Sequence, residues 1–262
     1  MRFWIIAIWT GLVLGRPTVR GSRLINPAPG LQAELEDTSY AATARTSLIS
    51  DHHPRTSQTQ VTCNVLVKQD STTLGYVSPV WNRYGEYGTF QASSSGALQV
   101  QFSYDDSSQN RLDLTAINGP SNTFPMFGGI VGYSSGDDLG PGSFDYIYLG
   151  GTASTPVGSP PVNGPNSFDA QKDYNRKIES AIWKYTPSTG QLIPQWVNTN
   201  SAMFPNYVLY GAGDKVLVVT GDKAVFQSKV PAGAYPEVVG NLLDQVVIVI
   251  LTGWRQTLTC VP

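Results

Sequence analysis

Two glutamates bound the chemistry that this chain could perform. Glu86 stands in an aromatic turn, Trp81-Asn82-Arg83-Tyr84-Gly85-Glu86-Tyr87-Gly88, and Glu179 stands just before the segment of Trp183. A retaining or inverting glycosidase needs two carboxyls facing each other across a sugar, one of them with a raised pKa. Glu86 and Glu179 are therefore the candidate catalytic pair of a glycosidase or lyase. Competing chemistries lack their parts. The only histidines, His52 and His53, adjoin Asp51 in a segment ahead of the expected domain. A Ser-His-Asp or Cys-His triad has no base in the folded region, and a zinc site of nitrogen and sulfur ligands is equally ill served. Asp137 and Asp138, with Asp145 in the same Gly-rich stretch, could offer oxygens to calcium. Their spacing does not match an EF-hand loop, and a turn is the simpler reading. No resident metal and no cofactor are expected.

Aromatic residues offer a second kind of chemistry. Trp81, Tyr84 and Tyr87 cluster in one turn, and Trp183, Tyr185 and Trp196 fall on one expected hairpin. An exposed indole or phenol can stack on the CH face of a sugar while neighbouring amides bond its hydroxyls. Core packing competes with that reading, above all for Trp183 and Tyr185, which share a strand face. Trp81, Tyr84, Tyr87 and Trp196 are the candidate ligand contacts. The leading expectation is a non-catalytic secreted protein that binds carbohydrate or cell-wall glycan. The alternatives are the carboxylate enzyme above and an extracellular structural protein without a small ligand, which would bury Trp81 and Tyr84.

The compartment is read from the first fifteen residues. Met1-Arg2 precedes an apolar run from Phe3, and Val13-Leu14-Gly15 suits a signal peptidase before Arg16-Pro17 ends the run. Such a run reads as a secretory signal peptide and is too short for a bilayer-spanning helix. Charged residues are only 14% of the chain and the net charge is −2, so clustered cations for nucleic acid are lacking. The two cysteines, Cys63 and Cys260, read in an oxidising compartment as one disulfide, and otherwise as two separate thiols. Closing so long a loop stabilises a fold by on the order of 5 kcal/mol at most. No Asn-x-Ser/Thr sequon occurs, so no N-glycan is expected.

Three stretches follow: residues 1–15 as signal peptide, 16–58 as a disordered linker or pro-segment, and 59–262 as a β domain. Residues 1–60 hold six arginines, four acids and no lysine, and the texture changes at Val61. Val61, Cys63, Val65 and Val67 then fall on one strand face. Leu98, Val100, Phe102 and Tyr104 alternate with polar residues, and Leu112 and Leu114 suit a partner strand across the 105–110 turn. Further strands are expected over 144–149, 180–185, 192–197, 207–210 and 215–220, with a buried one over 246–251. Residues 134–143 and 151–167 are long Gly/Pro-rich loops, and the prolines of the second deny it a strand ladder. The expected fold is an all-β antiparallel sandwich or jelly roll.

The hairpin from Glu179 to Asn198, with Pro187 to Gly190 at its turn, and the later run from Leu217 to Asp222 and Phe226 carry a resemblance. Over roughly residues 61–240 the chain resembles secreted β-rich proteins of fungi, mostly basidiomycetes, that have no assigned activity. The resemblance implies a secreted β domain and carries no functional residue with it.

Overall fold

Alternating side chains decide which face of each strand is buried. In Gln99–Tyr104, Val100 and Phe102 are buried while Gln99 and Ser103 are exposed. Each such fully buried apolar side chain contributes about 1.5–3 kcal/mol. The computed structural model describes residues 58–236 and 258–262. These lie in the second of two compact units, which begins at His53. The signal peptide, nearly all of the linker and the expected strand over 246–251 lie outside the described residues.

Fourteen strands are described. They are β1 (Thr59–Gln69), β2 (Thr72–Val77), β3 (Phe90–Gln91), β4 (Gln99–Tyr104), β5 (Thr115–Ala116), β6 (Met126–Val131) and β7 (Tyr146–Thr152). They continue as β8 (Val162–Asn163), β9 (Lys177–Glu179), β10 (Trp183–Thr186), β11 (Gln191–Pro194), β12 (Tyr207–Gly211), β13 (Val216–Thr220) and β14 (Leu258–Val261). One short helix, α1 (Lys223–Ser228), is capped by Asp222, whose carboxylate accepts from the Ala224 and Val225 amides. The fold is all-β and antiparallel, as the alternation predicts. No helix among the described residues is long and apolar enough to cross a membrane.

Ten strands form one path, β10-β11-β14-β1-β4-β5-β6-β7-β13-β12, and β2, β3, β8 and β9 branch from it. The path curls back on itself. Leu112, just ahead of β5, pairs with Trp183 of β10, and the two exchange backbone hydrogen bonds of 2.8 and 3.3 Å. Pairings therefore run from β1 through β4 to the 109–116 segment, then through β10, β11 and β14 to β1 again. The curl encloses a core in which Phe127 and Trp183 stack at 5.1 Å and the Trp183 indole donates to the Phe127 carbonyl. Trp183 and Tyr185 are buried, in line with the packing reading. Cys63 and Cys260 form a disulfide with a Cα–Cα distance of 5.2 Å, fastening β14 to β1.

Some elements depart from expectation. Strand β6, Met-Phe-Gly-Gly-Ile-Val, was not predicted because paired glycines lower strand propensity. Here the glycines admit neighbours: a Cβ on Gly129 would stand 2.8 Å from the Trp196 ring. The 151–167 loop does contain β8, held to two residues between Pro161 and Pro165.

Candidate functional site

The turn predicted to matter becomes a wedge in the sheet. Strands β7 and β13 pair through Tyr146↔Thr220, Ile147↔Val219 and Tyr148↔Val218, and then part. Residues 86–87 fill the gap. The Tyr87 amide donates to the Leu149 carbonyl and its carbonyl accepts from the Leu217 amide, both at 2.8 Å. Glu86 bridges Gly150. Strand alternation then sends adjacent residues to opposite faces. Tyr87 enters the main core, in edge contact with Trp81 and Phe127, while Glu86 emerges on the other face beside Tyr148 and Val216.

The turn is rigid for local reasons. Asn82 Oδ1 accepts from the amides of Tyr84 (2.9 Å) and Glu86 (3.0 Å), and Asn82 Nδ2 donates to Glu86 Oε2 at 2.8 Å. The same amide group also donates to the Asp214 carbonyl at 2.9 Å, tying the turn to the β12–β13 loop. Gly85 takes φ +85°, which favours glycine, and its carbonyl accepts from Ser167 Oγ. Ser167 Oγ accepts in turn from the Gly151 amide at 2.8 Å. The carboxyl of Glu86 is thus held by Asn82, in a turn that is itself fixed by groups more than eighty residues further along the chain.

Glu86 lines a cavity of about 380 Å³ on this outer face. Tyr84, Tyr133, Tyr148, Phe168, Tyr174 and Tyr235 wall it, and Arg83, Lys172 and Asp214 stand at its mouth. The rings support one another in sequence: Tyr133 on Tyr174 at 5.0 Å, Tyr174 on Phe168 at 5.2 Å, Phe168 on Tyr148 at 5.0 Å. Glu86 is 3% exposed. Burial pushes its pKa up to about 7, against the pull of the Asn82 hydrogen bond and helped by the charge of Asp214. The Tyr148 phenol is also raised, first by burial and then by Tyr146 and Glu86. No family model matches the chain, and neither a curated protein nor a solved structure matches it. The site is read from its own chemistry.

The other sequence candidates sit elsewhere. Glu179 is buried on β9, where its neighbour Ile178 joins the cluster of Ile130 and Phe168 on the pocket side. Alternation turns Glu179 away from that side, toward the Val197 amide, which donates to Oε2 at 3.1 Å. Burial drives its pKa to about 9, with the Val197 bond opposing, and Oε1 has no partner among the described residues. The expected pairing of Glu86 and Glu179 across one cleft is corrected: the cavity is lined by Glu86 and not by Glu179. Two of the expected stacking surfaces are corrected as well. Tyr87 is fully buried and Trp196 is 1% exposed, its indole donating to the Asp137 carbonyl at 2.7 Å, so neither has a free face. Trp81 is partly buried against Tyr87 and Phe124. Tyr84 alone of the four lines the cavity.

Asp137 and Asp138 are consumed by protein donors. Asp137 pairs with Lys177 Nζ at 2.6 Å, and Asp138 accepts from the Thr199 amide and hydroxyl at 2.6 and 2.8 Å. Asp145 accepts from Ser143 and from the Gly136 amide. Among the described residues no group of three or more His, Cys, Asp or Glu side chains could hold a metal ion.

Sequence reasoning missed five of the six aromatic walls. Tyr146-Ile147-Tyr148 held a signal, since alternate positions on a strand share a face and the buried Ile147 fixes the tyrosines on the outer one. Tyr133, Phe168, Tyr174 and Tyr235 come from loops, where no periodicity marks them.

Proposed function

We propose that this is a secreted, non-catalytic carbohydrate-binding protein whose aromatic cavity receives a sugar unit of a glycan. The observation that carries this reading is the cavity itself: about 380 Å³, walled by six aromatic rings, with one buried carboxyl among them. Ligand sites are concave, mostly apolar and furnished with a few fixed polar groups, and this one has that composition. Ring faces suit the CH faces of a pyranose, and the phenol hydroxyls and Glu86 suit its hydroxyls. The binding element is a pocket, so it takes one unit or a chain end more readily than a flat crystalline surface. Secretion is supported by the apolar N-terminal run and by the Cys63–Cys260 disulfide, which persists in oxidising compartments. The likeness to secreted fungal β proteins fits this assignment and adds no residue to it.

A pull-down of the full chain on insoluble chitin, β-glucan, cellulose and mannan tests the reading, with Tyr133→Ala as control. Tyr133 is half exposed, so its loss removes a wall without opening the core. Retention on one polymer, weakened in the variant and competed by short oligomers of that polymer, is the expected result. No retention and no competition by any oligomer would remove the carbohydrate reading.

One observation favours a second reading. A carboxyl with a pKa near 7 can act as a general acid, and Asp214 supplies another carboxylate at the same cavity. Glycoside hydrolysis would then use Glu86 as acid. Release of the aryl group from aryl glycosides by the wild-type chain, abolished in Glu86→Gln, would establish the enzyme. Absence of turnover with retained binding leaves the non-catalytic reading.

A further inference from the structure

The floor of the cavity differs from its mouth in charge. Arg83 is exposed at the mouth, where it pairs with Asp214 at 3.7 Å and lies over the Tyr84 ring at 4.6 Å. Lys172 is exposed beside it. Water screens such rim charges and weakens their reach into the site. The charge-bearing group at depth is the Glu86 carboxyl. Its Oε2 is held by Asn82, and among the described residues no hydrogen bond to its Oε1 is found, at a residue that lines the cavity. Tyr148 and Tyr235 line the same space with Tyr84, and aromatic faces carry negative potential.

A sugar hydroxyl could bond Oε1, yet a hydroxyl gains nothing from the ring faces as a charge. A ligand cation gains from both, and the gain grows as the site excludes water. We propose that the deep end of this cavity is an ammonium subsite, with Glu86 Oε1 as its anion and Tyr84, Tyr148 and Tyr235 as its walls. The sugar bound is then an amino sugar with a free amine. An ammonium subsite in this place presupposes the saccharide reading of the same pocket and adds the chemical class of the sugar.

Binding a cation requires Glu86 to be ionised, and burial resists ionisation below about pH 7. Tyr148 and Tyr235 also face it, are raised by burial and stay neutral. Among the described residues, Asp214, Arg83 and Lys172 are the other charged groups that line the cavity. Affinity for a permanently charged probe should therefore climb through neutrality and level off above it.

Titration calorimetry on the full chain at about pH 7.5 decides the matter, with glucose, glucosamine and tetramethylammonium as probes. Glucosamine is expected to bind about tenfold tighter than glucose, as a desolvated cation–π contact allows, and tetramethylammonium to displace it. Glu86→Gln keeps the acceptor for Asn82 and should erase the preference for glucosamine over glucose. Equal binding of the two sugars would overturn the ammonium subsite and leave the saccharide reading standing. Binding of tetramethylammonium with neither sugar would overturn the saccharide reading and the amino-sugar assignment that rests on it. No binding of any probe would overturn both. A measurement that needs no variant guards the outcome: tetramethylammonium affinity should rise about tenfold from pH 6 to pH 8, as ionisation of one group near pH 7 dictates. A flat profile would overturn the subsite.

Discussion

Asn82 and Glu86 form a closed unit in which each end of one side-chain amide does different work. The Asn82 carbonyl oxygen accepts the Glu86 backbone amide at 3.0 Å, and its NH₂ group donates to the Glu86 carboxyl at 2.8 Å. The turn and the orientation of the carboxyl are thus set by the same residue. Through its bond to the Asp214 carbonyl, that residue also spans the fork where 86–87 enters between β7 and β13.

Asn82→Asp separates these roles. The acceptor for the Tyr84 and Glu86 amides survives, so the turn holds. The donor to Glu86 becomes a second carboxylate, which both removes a stabilising bond and adds a like charge. The Glu86 midpoint should move above its value of about 7, and Tyr84 should keep its amide shift. A carboxyl-detected NMR titration reads both; an unchanged or lower midpoint would show that Asn82 does not control the carboxyl. Asn82→Ala, by contrast, leaves two turn amides without their acceptor and should cost about 1–3 kcal/mol in denaturant unfolding.

Glu179 makes stability fall with rising pH. Its folded pKa of about 9 exceeds the ordinary 4.5, so the folded state holds a proton that the unfolded state has released. Stability is therefore highest below about pH 4.5 and declines until pH passes the folded value near 9. Glu86 adds a decline of the same sign that ends near pH 7. Glu179→Gln keeps an acceptor for the Val197 amide and abolishes the titration. At pH 7 the variant should be more stable than wild type by up to about 3 kcal/mol, and at pH 4 the two should differ little. Urea unfolding at both values checks the sign. A variant that is equally destabilised at pH 4 and pH 7 would contradict it.

What could be read in advance follows the range of the interactions. The strand of Val100 and Phe102 was legible because its burial depends on a two-residue period within six residues. The turn at Pro187 to Gly190 was legible because Gly190 needs φ +67°. Glu86 and Tyr84 stand out in the sequence as members of one aromatic turn, and both line the cavity. Their role was hidden because the wedge between β7 and β13 joins segments more than sixty and more than a hundred residues apart. Trp196 and Tyr87 misled for a related reason: an aromatic side chain reads the same whether a sheet curls over it or leaves it bare. The curl, closed by Leu112 and Trp183, is a property of pairings that no local pattern records.

The disulfide should matter most for the C-terminal strand. Cys63–Cys260 joins residues 197 positions apart, and β14 is held to β1 by the register Asn64↔Val261 to Val67↔Leu258. Replacing both cysteines by serine should cost about 2–5 kcal/mol. Amide exchange should rise first in Leu258–Val261, ahead of β4. Uniform loss of protection across the sheet would mean that β14 is fastened as firmly by packing as by sulfur.

Trp196 and Tyr133 should separate stability from binding. Trp196 is packed over Gly129 and anchored by its indole to the Asp137 carbonyl at 2.7 Å, away from the cavity lining. Trp196→Phe removes that bond and part of the ring, and should lower stability by about 1–3 kcal/mol. Ligand affinity of the folded fraction should be untouched. Tyr133 is 52% exposed and braces Tyr174 at the cavity wall. Tyr133→Ala should leave the melting temperature nearly unchanged and weaken glycan binding about fivefold, the worth of roughly 1 kcal/mol of ring contact. Paired thermal melts and binding isotherms give the two quantities for both variants. Loss of affinity in Trp196→Phe with Tyr133→Ala unaffected would move the binding site from the Glu86 cavity to the hairpin.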